Sequence, residues 1–224
     1  MNSTKSQREL LKQQREQQKR KQLITIIIGV VVVVAVFALV YFLPRMKKSI
    51  SAYANQTGPS VGDPNAPIKV EQFSNFTCSH CRNFALESEA DFIKNYVDTG
   101  KVYLTYYNFQ FSNDESVNGA EAAYCAGEQN SFFEYKKSVY LNVQFSGAFA
   151  ENNIQKYARD LDLNMDEFNQ CLESDRMLEV ITQSRDYAQE VGAEYTPMFR
   201  VNGQLVFANE LNDTIDNLLA NAAN

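Results

Sequence analysis

Residues 68–81 read Ile68-Lys69-Val70-Glu71-Gln72-Phe73-Ser74-Asn75-Phe76-Thr77-Cys78-Ser79-His80-Cys81. The first seven are an alternating, partly β-branched run and predict a strand. A helical pattern begins near Cys78, so two cysteines at i and i+3 sit where strand gives way to helix. At that spacing they can close a small disulfide ring. A thiolate in the first turn of a helix lies against unpaired backbone N–H groups and the positive end of the macrodipole. Thiols so placed in Cys-x-x-Cys motifs fall to roughly 3.5–7.5, against about 8.5 for a free cysteine. A stabilised thiolate favours the dithiol, which makes the disulfide the stronger oxidant. His80 is the single histidine among 224 residues. It is expected to stabilise the Cys78 thiolate through its imidazole; the plainer alternative is a surface residue of the first turn.

Cys-x-x-Cys is also half of many structural zinc sites. The other half is missing. The remaining cysteines, Cys125 and Cys171, are far apart in sequence, and the histidine lies inside the motif. No metal is expected. Cys125 and Cys171 fall on apolar helical stretches, Ala122-Ala123-Tyr124-Cys125-Ala126 and Phe168-Asn169-Gln170-Cys171-Leu172. They are expected to form a structural disulfide if the domain is exported; otherwise they are two buried free thiols.

The amino terminus bears on the compartment. Residues 23–43 (LITIIIGVVVVVAVFALVYFL) carry no charge. At about 1.5 Å per residue they reach roughly 31 Å, enough to cross a bilayer core. Seven basic residues (Lys5, Arg8, Lys12, Arg15, Lys19, Arg20, Lys21) precede the run and three (Arg45, Lys47, Lys48) follow it. That bias predicts a cytoplasmic amino terminus and an extracytoplasmic remainder. Ala52-Tyr53-Ala54 has the form of a signal-cleavage site, but the apolar run is long for a signal peptide, so an uncleaved anchor in membrane lipid is expected. The organisation is then a basic cytoplasmic tail over 1–22, a transmembrane helix over 23–43, a linker over 44–61 and a folded domain over 62–224. The chain has 21 Lys and Arg against 27 Asp and Glu. Ten of the basic and two of the acidic residues precede residue 51, leaving 11 against 25, a net −14. So acidic a domain is not expected to bind nucleic acid.

Periodicity supplies the remaining elements. A helix is expected over 78–98, with Phe84, Phe92, Ile93 and Val97 on its apolar side, and a strand over 101–111. A helical stretch over about 113–192 follows, with helices near 115–127, 131–142, 151–161, 166–171 and 175–191. Residues 196–202 and 204–208 predict a hairpin about Asn202-Gly203, a strong turn signal. A last helix runs over about 210–220. The order is that of an α/β thioredoxin fold with an inserted helical subdomain, preceded by one transmembrane helix. The aromatic residues of 103–111 and 131–140 are expected in its core.

Two blocks carry a family resemblance. GDPNAPIKVEQFSNFTCSHCRNF (62–84) and VGAEYTPMFRVNGQLV (191–206) resemble the corresponding segments of membrane-anchored DsbA-like thiol-disulfide oxidoreductases, and the likeness extends over roughly 59–220. It implies that Cys78 is the exposed nucleophile and Cys81 its partner in a redox-active disulfide. It also implies that Pro197 is a cis-proline packed against that disulfide, and that the backbone of Thr196 pairs with substrate. Gln72 and Asn75 depart from it, standing where the family often has Glu and Asp, so the proton route differs. The activity implied is donation of the Cys78–Cys81 disulfide to exported unfolded proteins with free cysteines. A membrane thiol oxidase linked to quinone would restore the disulfide, with no organic cofactor. The alternatives are a disulfide reductase or isomerase, and a non-enzymatic thioredoxin-like metal-binding or holder module.

Overall fold

The computed structural model describes residues 20, 24, 27–34, 37, 53, 55–109 and 116–222. The chain divides into two units, Met1–Ile50 and Ser51–Asn224. In the first, residues 27–34 are helical and exposed. Most of the span expected over 23–43 lies outside the described residues. Among those described, no helix is long and apolar enough to cross a membrane.

The second unit is built on a six-stranded sheet. Its strands are β1 (Gln56–Thr57), β2 (Ser60–Val61), β3 (Ile68–Ser74), β4 (Val102–Asn108), β5 (Met198–Val201) and β6 (Gln204–Phe207), in spatial order β1-β2-β4-β3-β5-β6. β3 lies centrally, parallel to β4 from Ile68 opposite Val102 to Ser74 opposite Asn108. On its other side it runs antiparallel to β5, from Val70 opposite Val201 to Phe73 opposite Met198. Asn202 and Gly203 both take positive φ, as a tight two-residue hairpin turn requires.

Part of the expected linker belongs to the fold. Residues 55–61 form the β1–β2 hairpin, and β2 pairs with β4. Tyr53 is buried and donates to Glu89 Oε1 at 3.1 Å. Gln56 donates to Glu134 Oε2 at 2.8 Å and accepts from the Phe133 N–H at 2.7 Å. These strands are two residues long, and their pairing is tertiary, so no local period announces them.

The helical run after β3 contains α1 (Ser79–Asn83), a π turn (Phe84–Ser88), α2 (Glu89–Phe92) and a second π turn (Ile93–Val97). Cys81, Ala85, Glu89, Ile93 and Val97, four residues apart throughout, are all buried. An ideal α-helix would rotate such a line by about 40° at each step. The wider π turns take up that drift. As a result Glu89 joins the buried line with Cys81.

Between β4 and β5 come α3 (Ser116–Gly127), α4 (Phe132–Asn142), α5 (Glu151–Asp160), α6 (Met165–Glu173) and α7 (Arg176–Glu190). They form the expected insertion. Cys125 on α3 and Cys171 on α6 are joined by a disulfide with Cα atoms 5.7 Å apart. α8 (Leu211–Ala222) ends the domain. The aromatic core includes Tyr106, Phe109, Phe132, Phe133, Tyr135 and Tyr140, all essentially inaccessible, while Tyr103 and Tyr107 are half-buried.

Candidate active site

The site is set by the carboxyl end of β3. Beyond Ser74, the Asn75 side chain accepts from the backbone N–H and the hydroxyl of Thr77, each at 2.7 Å. Its carbonyl accepts from the Cys78 N–H at 3.2 Å and from the Tyr140 hydroxyl at 3.1 Å. This turn delivers Cys78 as the N-cap of the helical run, with extended backbone angles (φ −79°, ψ 119°). The Cys78 sulfur takes the part usually played by a capping oxygen, accepting from the Cys81 N–H at 3.2 Å.

The β3–β5 register brings the second block to the same place. With Phe73 opposite Met198, residues 196 and 197 come level with the end of β3. The Thr196-Pro197 peptide is cis. The Cys78 thiol donates to the Thr196 carbonyl at 3.2 Å. Cys78, Cys81, Thr196 and Pro197, far apart in sequence, thus share one site.

The two thiols differ sharply. Cys78 is partly accessible and Cys81 fully buried, and neither is in a disulfide in this structure. The Cys81 thiol, donating to the Cys78 sulfur, is the largest influence on Cys78. Burial opposes it. The Thr196 side chain and the backbone amides of Cys81 and His80 add to it, and Cys78 is lowered from 9.0 to about 5. Burial, reinforced by the neighbouring Cys78, pushes Cys81 the other way, far above the usual thiol range. The pair is therefore an accessible thiolate beside a protonated, sequestered thiol.

The His80 backbone N–H is among the donors that lower Cys78. The side chain is exposed and lines a neighbouring groove. The helix start aims backbone amides at the Cys78 sulfur. Gln72 lies buried on β3, donating to Ser74 Oγ at 3.1 Å and leaving its Oε1 without a partner. Glu71 points to the opposite face, paired with Arg200 at 2.8 Å and accepting from Tyr187 at 2.6 Å.

Sequence reasoning missed two features. A groove of about 760 Å³ opens at the Thr196-Pro197 peptide, between the helical run and the β5–β6 side of the sheet. Thr196, Pro197, His80, Phe84, Tyr195 and Phe207 line it. Tyr195 and Phe207 are exposed aromatics, which period alone cannot tell from core residues. The second feature is a buried ion pair between Lys136 of α4 and Glu89 of α2, with side-chain exposures of 0% and 1%. Among the described residues, no group of three or more His, Cys, Asp or Glu is gathered to hold a metal ion.

Comparison with known proteins agrees with this geometry. The family model described as thioredoxin matches residues 54–221. The probable disulfide bond formation protein D of Bacillus cereus is 27% identical over 70% of this chain and 76% of its own length. A putative protein-disulfide oxidoreductase of Rickettsia felis is 25% identical over 64% of this chain and 52% of its own. Among solved structures, DsbA of Chlamydia trachomatis superimposes with a TM-score of 0.63 at 25% identity, covering 72% of this chain and 91% of that one. Oxidised BdbD of Bacillus subtilis shares the fold, with a TM-score of 0.63 at 19% identity, covering 75% and 94%.

Proposed function

The chain belongs to the thioredoxin family and is a DsbA-like thiol-disulfide oxidoreductase; from that premise we propose that it donates the Cys78–Cys81 disulfide to exported proteins carrying free cysteines. The observation that carries this direction is the contrast between the two thiols. A Cys78 thiolate lowered to about 5 stabilises the dithiol, so the disulfide is readily given up. A substrate thiolate attacks Cys78 Sγ. The Cys78–Cys81 bond breaks, a mixed disulfide forms, and Cys81 leaves with the electron pair and takes a proton. A second substrate thiolate attacks the mixed disulfide, leaving the substrate oxidised and both cysteines reduced. Cys78, Cys81, Thr196 and Pro197 are the working residues in this reading, with Thr196 presenting backbone to the substrate. The same contrast disfavours a reductase, which would need a more stable disulfide.

Residues 23–43 would anchor the domain in the membrane lipid, with the amino terminus cytoplasmic and the catalytic domain extracytoplasmic. A quinone-linked thiol oxidase in that membrane would restore the disulfide. Equilibration of the full chain with glutathione redox buffers tests the direction. A Cys78–Cys81 pair more oxidising than glutathione is expected; one as reducing as thioredoxin, near −270 mV, overturns the donor reading.

A further inference from the structure

The exchange chemistry releases an anion where none is easily held. When the Cys78–Cys81 bond opens, the electron pair goes to Cys81, whose side chain is inaccessible to water. Burial penalises that thiolate strongly. On the sheet, Gln72 offers no charge. The buried charged side chains in this part of the core are Lys136 and Glu89, which face each other as an ion pair.

Geometry links that pair to Cys81. Glu89 lies on the same buried line of the helical run, eight residues on, or about 12 Å along the axis. The Lys136 ammonium sits over the rings of Phe133 at 4.6 Å and Tyr106 at 5.1 Å. The Tyr106 hydroxyl donates to the Ser74 carbonyl at 3.3 Å, at the base of the turn that carries Cys78. α4, which carries Lys136, is tied to the active-site helix where Arg82 Nε donates to the Tyr140 carbonyl at 2.9 Å. Tyr53 donates to the other Glu89 oxygen. Other ionisable groups acting here are Glu134 on Tyr53, and Cys78 and Cys81 on Tyr140. Burial lowers the Lys136 ammonium below its ordinary value; Glu89 beside it, and then negative charge on Cys81, favour its protonated form, and the interaction with Cys81 is mutual.

We propose that Lys136, held in place by Glu89, is a positioning residue for the exchange reaction, stabilising the thiolate that leaves on Cys81. The inference rests on the thiol-disulfide exchange reading. Its cation comes from the inserted helical subdomain, so the insertion contributes to the redox chemistry as well as covering the sheet. At an effective dielectric of about 20, a unit charge acting over roughly 10 Å alters the stability of a thiolate on the order of tenfold.

The test uses the full-length chain, oxidised at Cys78–Cys81. Rates of reduction by dithiothreitol are measured from pH 5 to 9, together with the equilibrium against glutathione. Lys136→Met is expected to slow reduction at pH 7 on the order of tenfold, while the equilibrium, whose dithiol end state carries a protonated Cys81, stays within about twofold. Lys136→Arg should restore the rate, and Glu89→Gln should speed reduction. If Lys136→Met does not fold, the Lys136→Met, Glu89→Gln double variant replaces it, since it leaves no lone buried charge; slowed reduction is again expected. Reduction rates within twofold of wild type, or Lys136→Met and Glu89→Gln moving the rate in the same direction, overturn the proposal. A wild-type chain that does not exchange with glutathione at all overturns the exchange reading instead, before any variant is compared.

Discussion

Replacing Cys81 with Ala removes the largest single influence on the Cys78 thiolate, the hydrogen bond donated by the Cys81 thiol. A hydrogen bond to a charged group contributes about 1.5–3 kcal/mol, equivalent to roughly one to two pKa units. Cys78 is only partly buried, so solvent screening places the effect near the lower end. The Cys78 thiol should rise from about 5 toward about 6. At pH 5 its thiolate fraction then falls from about half to about a tenth. Alkylation rate against pH reads this directly, because Cys125 and Cys171 are bonded to each other and leave Cys78 as the reactive thiol in the variant. His80→Ala, which keeps the backbone N–H, should move the midpoint by less than about 0.3 units. A midpoint unchanged in Cys81→Ala, or one moved further by His80→Ala, refutes the account in which backbone and thiol donors set the nucleophile.

Breaking the insertion disulfide with Cys125→Ala and Cys171→Ala together should destabilise the domain by up to about 4 kcal/mol, given a 46-residue separation. Denaturant unfolding measures this, and the Cys78–Cys81 equilibrium with glutathione should not change. Because the Cys78 thiol lies lower in the folded protein than its ordinary 9.0, ionisation stabilises the reduced fold fully above pH 9, and this stabilisation is lost as pH falls toward about 5. The melting temperature of the reduced protein relative to the oxidised protein should therefore climb from pH 5 to pH 9; a flat difference contradicts the lowered thiol. A chain starting at residue 62 should melt below one starting at residue 51, since it lacks β1, β2 and the Tyr53–Glu89 and Gln56–Glu134 hydrogen bonds. Equal melting temperatures would return those residues to the status of a tether.

The sequence by itself determined the framework, because that framework is local. The strand at 68–74, the helix start at Cys78, the Asn202-Gly203 hairpin and the helical insertion each rest on a period or a turn preference within a few residues. The placement of Cys78 and Cys81 at one helix start is likewise local. The Cys125–Cys171 bond was legible only as one of two outcomes, since pairing depends on how α3 and α6 meet.

What tertiary structure decided depends on contacts between distant segments. β1 and β2 are strands only because β4 offers them an edge. Backbone amides act on Cys78 because the Asn75 turn fixes the cap geometry. The π turn at Phe84–Ser88 rotates Glu89 into the core, where a 3.6-residue period would have carried it off the Cys81 line. Lys136 looks like one more surface charge in an aromatic helix until Glu89 is found facing it. A buried charge becomes tolerable only with its partner in place, and that partner is 47 residues away in the chain.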